Sequence, residues 1–367
     1  MISVLNSLNP NLANVPVYQP GRPIEEVARE YNLPVESVIK VASNENPLGP
    51  SPKALAAMRS ALDSLHLYPD GNAFYLKRKL GQKLNIATDH LVLGNGSNEI
   101  IEFVSHALMR PGVDVVVSEY CFAVYPIMAH LFGANLLTVP AHNFGHDIPA
   151  MLRAITPNTR VLFVANPNNP TGTLASKLQI MELARAVPDS VLLVLDEAYI
   201  DFLDDPADLI PLIREEKRRN LLLMRTFSKI YGLAGLRLGY GIGHPQLIAA
   251  MEKVRQPFNI NSLIQAGAIA ALEDEEHLTR TRKNNADGLA FFTEELRKLK
   301  LEIVPSAANF LLVRVGHGQK IFEQMQRQGV ITRPMAGYKL PEWIRITIGT
   351  PEENRRCLES LKQAVHS

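Results

Sequence analysis

The chain has 367 residues, 38 basic and 37 acidic, for a formal net charge of +1. So even a balance offers no concentrated Lys/Arg surface for a phosphate backbone, which argues against a nucleic-acid-coating protein. Hydrophobic residues make up 46% and charged residues 20%; this excludes a wholly disordered chain and, at this length, predicts two or three domains.

The two cysteines, Cys121 and Cys357, cannot form the disulfide framework of a chain this long, and no CxxC pair occurs, so a reducing compartment is expected. No apolar run reaches the ~18 residues a membrane helix needs. The start, MISVLNSLNPNLANVPVYQPGRP, lacks the basic-then-apolar pattern of a secretory signal. The expectation is a cytoplasmic protein with no membrane and no nucleic-acid partner.

In chain order, residues 1–45 read as an N-terminal arm. Pro10, Pro16, Pro20, Pro23 and Pro34 interrupt it, with one helical stretch, IEEVAREY, between them. Proline fixes φ and removes a donor, so this arm is expected to wrap a surface rather than form a core. Residues 46–275 alternate short apolar runs with helical patterns. The runs at 91–94, 113–119, 135–140, 160–167, 190–199, 220–228 and 236–243 read as buried strands, with helices such as 97–109 and 176–187 between them. Continuous Val/Leu runs joined by helices predict an α/β domain around a mostly parallel sheet covered on both faces. Ligands of such sheets bind outside the carboxyl ends of the strands. KRKLGQK (77–83) reads as a solvated helix face. Residues 276–367 open with a long polar helix to about 299. The strand run LEIVPSAANFLLVRV, the helix QKIFEQMQRQG, the strands VITRP and WIRITIG and a final helix EENRRCLESLKQAV follow, which predicts a smaller α/β domain with an antiparallel sheet.

The residues that carry chemistry fall at strand ends. In LVLGNGSNEII, Gly94, Gly96 and Ser97 lie between a strand and a helix; this arrangement suits an anion, although a tight turn with Ser97 as helix cap also explains it. RVLFVANPNNPTG ends a strand in three asparagines, which is turn chemistry but also a source of oriented amides. VLLVLDEAYIDF puts Asp196 at the end of a strongly apolar strand, where an unpaired carboxylate is unfavourable, and Tyr199 three residues on. RTFSKIYGLAGLRLGY supplies Ser228, Lys229 and Arg237. Lys229 sits among Phe227, Ile230, Tyr231 and Leu233, and a desolvated lysine becomes a nucleophile toward carbonyls.

Pyridoxal 5′-phosphate needs this set. The phosphate takes the helix start and Arg237, the aldehyde takes Lys229, and the pyridine nitrogen takes Asp196. Asn169 and Tyr199 suit the ring oxygen, and an aromatic from EYCFAVY suits the ring face.

GNGSNE, ANPNNPTG, LDEAYIDF and RTFSKIYGLAGLRLGY, in this order, resemble the fold-type I pyridoxal-phosphate aminotransferases. SNENPLGP, LYPDG, ITRPM and WIRITIGT extend the resemblance to the histidinol-phosphate aminotransferase family over nearly the whole chain. The resemblance implies a large domain with a mostly parallel seven-stranded sheet between helices, a smaller α/β C-terminal domain and an N-terminal arm. It implies Lys229 as the cofactor-bonding amine and proton carrier, Asp196 as the pyridinium partner, and Tyr199 and Asn169 on the ring oxygen. Ser97, Asn98, Ser228 and Arg237 become phosphate ligands. Phe122 becomes the ring-stacking residue, with Tyr120 or Tyr125 as alternatives, because the segment departs from the Pro-Thr-Tyr form of some members. Tyr68 would reach the cofactor phosphate of a neighbouring subunit, implying a homodimer with shared sites. Arg345 would clamp the substrate anion, helped by Arg333 and Tyr18. The implied reaction is transamination between L-histidinol phosphate and 2-oxoglutarate, giving imidazole acetol phosphate and glutamate, a step of histidine biosynthesis.

Other readings share these motifs. Aromatic aminotransferases and threonine-phosphate decarboxylase need the same Lys229 and Asp196. A non-catalytic cofactor-sensing regulator would need a DNA-binding module, for which the arm is too short and the charge too even. His142 and His146 are four apart like a metal pair, but Phe144-Gly145 between them reads as a loop without an acidic third ligand. Cys121 lies near the expected ring position without an evident base.

Overall fold

The computed structural model describes residues 4–366. In chain order its strands are β1 (Ile39–Lys40), β2 (Leu91–Gly94), β3 (Asp114–Ser118), β4 (Asn135–Val139), β5 (Thr159–Ala165), β6 (Leu192–Asp196), β7 (Leu221–Thr226) and β8 (Gly239–Gly243), followed by β9 (Ile303–Val304), β10 (Phe310–Arg314), β11 (Val330–Ile331), β12 (Arg333–Pro334) and β13 (Trp343–Thr347). β2 to β8 form one seven-stranded sheet in the order β2-β8-β7-β6-β5-β3-β4. All its pairings are parallel except those of β8, which is antiparallel to both neighbours.

The apolar runs are continuous because both faces are covered. Successive side chains point to opposite faces: Val116, Leu162, Leu193 and Leu223 enter one core, while Val115, Val161, Val194 and Leu222 enter the other. The strand expected at 190–199 ends at Asp196. There the chain turns, with Glu197 N–H donating to Met224 O at 2.8 Å and a 3-10 turn over Ile200–Phe202. β12, β13, β10 and β9 form the expected antiparallel sheet, packed with helices Glu275–Lys298, Gly318–Arg327 and Pro351–Val365.

Two expectations need correction. The second half of the arm does more than wrap a surface: Val27, Ala28, Val38 and Ala42 form a buried cluster with Phe322 and Ile331, and β1 pairs in parallel with β11. The prolines break local structure, but they do not stop the apolar side of the helix Ile24–Tyr31 from being buried. KRKLGQK is also not merely solvated. On the helix Phe74–Leu84, Lys77 bonds Glu252 at 2.7 Å, Lys83 bonds Glu275 at 2.7 Å, and Lys79 pairs with Glu273. Among the described residues no helix is long and apolar enough to cross a membrane.

One buried ion pair ties the ends of the two central strands. Arg225 Nε donates to Glu197 Oε2 at 2.8 Å, with both side chains nearly out of solvent. Burial pushes the Glu197 carboxyl up, the guanidinium opposes that shift, and the nearby Asp201 and Asp208 add to it. Glu197→Ala would leave the cation buried without its partner. The expected loss is about 3 kcal/mol of stability, read from the denaturant midpoint of the apoprotein.

Candidate active site

The carboxyl ends of β5, β6 and β7 and the start of the helix Ser97–Leu108 open into one cavity of about 200 Å³. Tyr18, Ser97, Asn98, Phe122, Asn169, Asp196, Tyr199, Ser228, Lys229, Arg237, Arg333 and Arg345 all line it. Of the sequence-predicted site residues, only Tyr68 does not. It is 82% exposed and stacks on Phe258 at 4.7 Å.

On one side the backbone is drawn in tightly. Gly96 precedes the helix at φ +78°, and a Cβ there would lie 2.4 Å from the Arg237 guanidinium. A Cβ at Gly239 would lie 2.3 Å from the Ser97 amide nitrogen. Glycine at both positions lets a free helix start, a guanidinium and the Ser228 hydroxyl share one anion cradle. Gly239→Ala is expected to cost about 1–3 kcal/mol by overpacking and to weaken binding of inorganic phosphate, read by thermal unfolding with and without the anion.

At the floor, Asp196 and Lys229 face the same space. Asp196 Oδ2 accepts from the Tyr125 hydroxyl at 2.7 Å and Oδ1 from the Ala198 amide at 3.1 Å. Burial pushes this carboxyl up; the two donors and the Lys229 charge pull against it. Burial, with Arg345 second, lowers the Lys229 amine from 10.5 to about 8. That amine donates to Ser43 O at 3.3 Å and lies 5.6 Å from the Tyr199 ring centre. The Tyr199 hydroxyl accepts from Asn44 Nδ2 at 2.9 Å.

The opposite wall is cationic. Arg333 and Arg345 are directly opposed across β12 and β13. Like charges so placed are unfavourable unless an anion lies between them. Arg345 donates to Asn169 Oδ1 at 2.6 Å and to Ala42 O at 3.0 Å, but its buried Nε has no partner. Arg333 donates to Gln19 O at 2.6 Å beside the Tyr18 ring. The residues thus offer an anion cradle, a reactive amine, a buried carboxylate and a second anion grip, which fits pyridoxal phosphate and an anionic amino substrate.

Of the three aromatic alternatives, Phe122 lines the cavity. Tyr120 stacks on Phe144 at 5.9 Å, and Tyr125 is fully buried against Phe163 at 4.4 Å. His146 Nε2 bonds Ala165 O at 2.8 Å, while His142 Nε2 meets Asn143 Nδ2 at 3.2 Å, so the two rings have separate partners. Burial pushes the Cys121 thiol up to about 12. The sequence reading assigned no role to residues 42–44, Thr226 or Tyr338, all of which line the cavity, and it missed the bond from Tyr125 to Asp196. SNENPLGP, which begins at Ser43, entered only through the family resemblance, without indicating the chemistry.

Residues 36–361 match the aminotransferase class I and II family. The chain is 47% identical to a histidinol-phosphate aminotransferase of Akkermansia muciniphila over 99% of this chain and 100% of that protein. It is 48% identical to histidinol-phosphate aminotransferase 2 of Pseudomonas fluorescens over 97% and 96%. The solved histidinol-phosphate aminotransferase of Sinorhizobium meliloti, in complex with pyridoxal-5′-phosphate, is 27% identical, with a TM-score of 0.89 over 98% of this chain and 97% of that one. With an amine and a carboxylate set side by side at the strand ends, and relatives matching from end to end, the chain belongs to the aminotransferase class I and II family.

Proposed function

We propose that this chain transfers an amino group from L-histidinol phosphate to 2-oxoglutarate, giving imidazole acetol phosphate and glutamate. The observation that carries this reading is the placement of Lys229 and Asp196 between an anion cradle and an opposed arginine pair. Pyridoxal 5′-phosphate, when bound, supplies an aldehyde to the lysine amine and a ring that takes up the electron pair left as the substrate Cα loses its proton.

The chain's residues do the rest. Ser97, Asn98, Ser228 and Arg237 hold the cofactor phosphate. Asp196 keeps a proton on the ring nitrogen. Asn169, whose oxygen is held by Arg345, turns its N–H groups to the ring oxygen together with Tyr199. Phe122 covers a ring face. Lys229, once displaced, takes the Cα proton at its amine and redelivers it; an amine pKa near working pH suits both tasks. Arg345, Arg333 and Tyr18 grip a phosphate in one half-reaction and a carboxylate in the other, since guanidinium forks suit both oxyanions.

An exposed patch of Leu62, Leu65, Leu67, Tyr68, Phe74 and Tyr75 supports a homodimer in which Tyr68 reaches the phosphate of the neighbouring subunit's cofactor. Tyr68→Phe is then expected to weaken cofactor retention while leaving the dimer intact, checked by gel filtration beside equilibrium dialysis.

A substrate panel tests the reaction. Histidinol phosphate, phenylalanine and threonine phosphate are each assayed for keto product and for carbon dioxide. Preference for phenylalanine, or release of carbon dioxide from threonine phosphate, would overturn the assignment. The amine gives a second test. Only its deprotonated form attacks an aldehyde, so the rate at which apoprotein is trapped by pyridoxal phosphate and borohydride should rise through a midpoint of about 8 rather than 10.5. Arg345→Gln should move that midpoint upward.

A further inference from the structure

We propose that Tyr125 is a positioning residue for the reaction: its hydroxyl holds the Asp196 carboxylate in one orientation and in its charged form. The inference rests on the reading above, in which that carboxylate faces a pyridine nitrogen.

Tyr125 lies on the helix Val124–Leu131, not on the sheet that carries Asp196, and 71 residues away in sequence. Its ring is completely buried and stacks on Phe163 at 4.4 Å with only 8° between the planes. The ring is therefore fixed by packing, whatever its hydroxyl does. A buried phenol needs a hydrogen-bond partner, and here that partner is Asp196 Oδ2 at 2.7 Å. The other oxygen is taken by the Ala198 amide, a donor fixed by the turn after β6. With a donor on each oxygen, the carboxylate cannot rotate freely about Cβ–Cγ. Each oxygen still keeps a lone pair for a further donor.

The bond also addresses charge. Desolvation favours a neutral acid at this strand end, and a neutral acid would not hold a proton on a ring nitrogen. Hydrogen bonds donated to the charged form oppose that tendency. The same tyrosine meets Phe122 edge-on at 5.7 Å. One rigid ring therefore backs both the carboxylate and the aromatic that faces the cavity.

A purely structural tyrosine would predict something different, and Tyr125→Phe separates the two roles because it keeps the ring and its stack. Apoprotein affinity is measured by equilibrium dialysis for two ligands: pyridoxal 5′-phosphate, and a carbocyclic analogue in which C–H replaces the ring nitrogen. Y125F should weaken pyridoxal phosphate by about 10- to 100-fold, the scale of one hydrogen bond to a charged group. It should change the analogue by less than about twofold, and in an Asp196→Asn background it should change neither ligand by more than that. Equal weakening of both ligands, or of neither, overturns the proposal. Wild-type protein that binds neither ligand would overturn the proposed function as well, so the two failures are distinct.

Discussion

Lys229→Ala is expected to lower amino transfer by at least about 10⁴-fold, since it removes both the nucleophile and the proton carrier. Stopped-flow half-reactions would read the loss, and the visible band of lysine-linked cofactor should vanish from the purified protein. The fold should survive. The side chain is half-buried, and its amine makes one long hydrogen bond, to Ser43 O at 3.3 Å, and lies 5.6 Å from the Tyr199 ring centre. The pH dependence carries the same message. A lysine held at about 8, below its ordinary 10.5, binds its proton less tightly folded than unfolded. Stability therefore rises with pH between those two values, and the full penalty is present below about 8. Near neutrality the alanine apoprotein should be no less stable than the wild type. Added methylamine should restore part of the rate, because the missing function is a mobile amine.

Asp196→Asn is expected to reduce turnover by about 10³-fold, the scale of removing one preorganised electrostatic group from a water-poor site. Unlike the lysine variant, it should keep the lysine-linked cofactor and its colour. The Cα proton would leave slowly because the charge that steadies the ring is gone. Turnover and kcat/KM should fall together, as for an interaction used chiefly in the transition state. A loss confined to KM would assign Asp196 to substrate binding instead.

What could be read from the sequence follows a physical rule. β3 and β6 stood out because strands covered on both faces are apolar throughout. Asp196 and Lys229 stood out because each breaks such a setting with a charge. Tyr125 stood out only as an alternative for ring stacking, since its bond to Asp196 depends on an acceptor 71 residues away. The lysines of 77–83 looked solvated because their acidic partners are remote in sequence, two on helices and Glu273 in the turn between helices. The arm was misjudged for a related reason: its prolines are a local signal, while the two-residue pairing of β1 with β11 is entirely non-local. Asp196 and Glu197 are adjacent carboxylates with different fates, one at the cavity and one on Arg225, and only the turn after β6 separates them.

Residues 42–44 touch the site at three points: the Ala42 carbonyl on Arg345, the Ser43 carbonyl on Lys229, and the Asn44 side chain on Tyr199. The Arg345 contact spans 303 residues of chain. On a ribosome, Ala42 is therefore made 303 residues before the arginine it holds. All the strands of the central sheet precede Arg345 in the chain, so the sheet can be complete in sequence while one wall of the cleft is still missing.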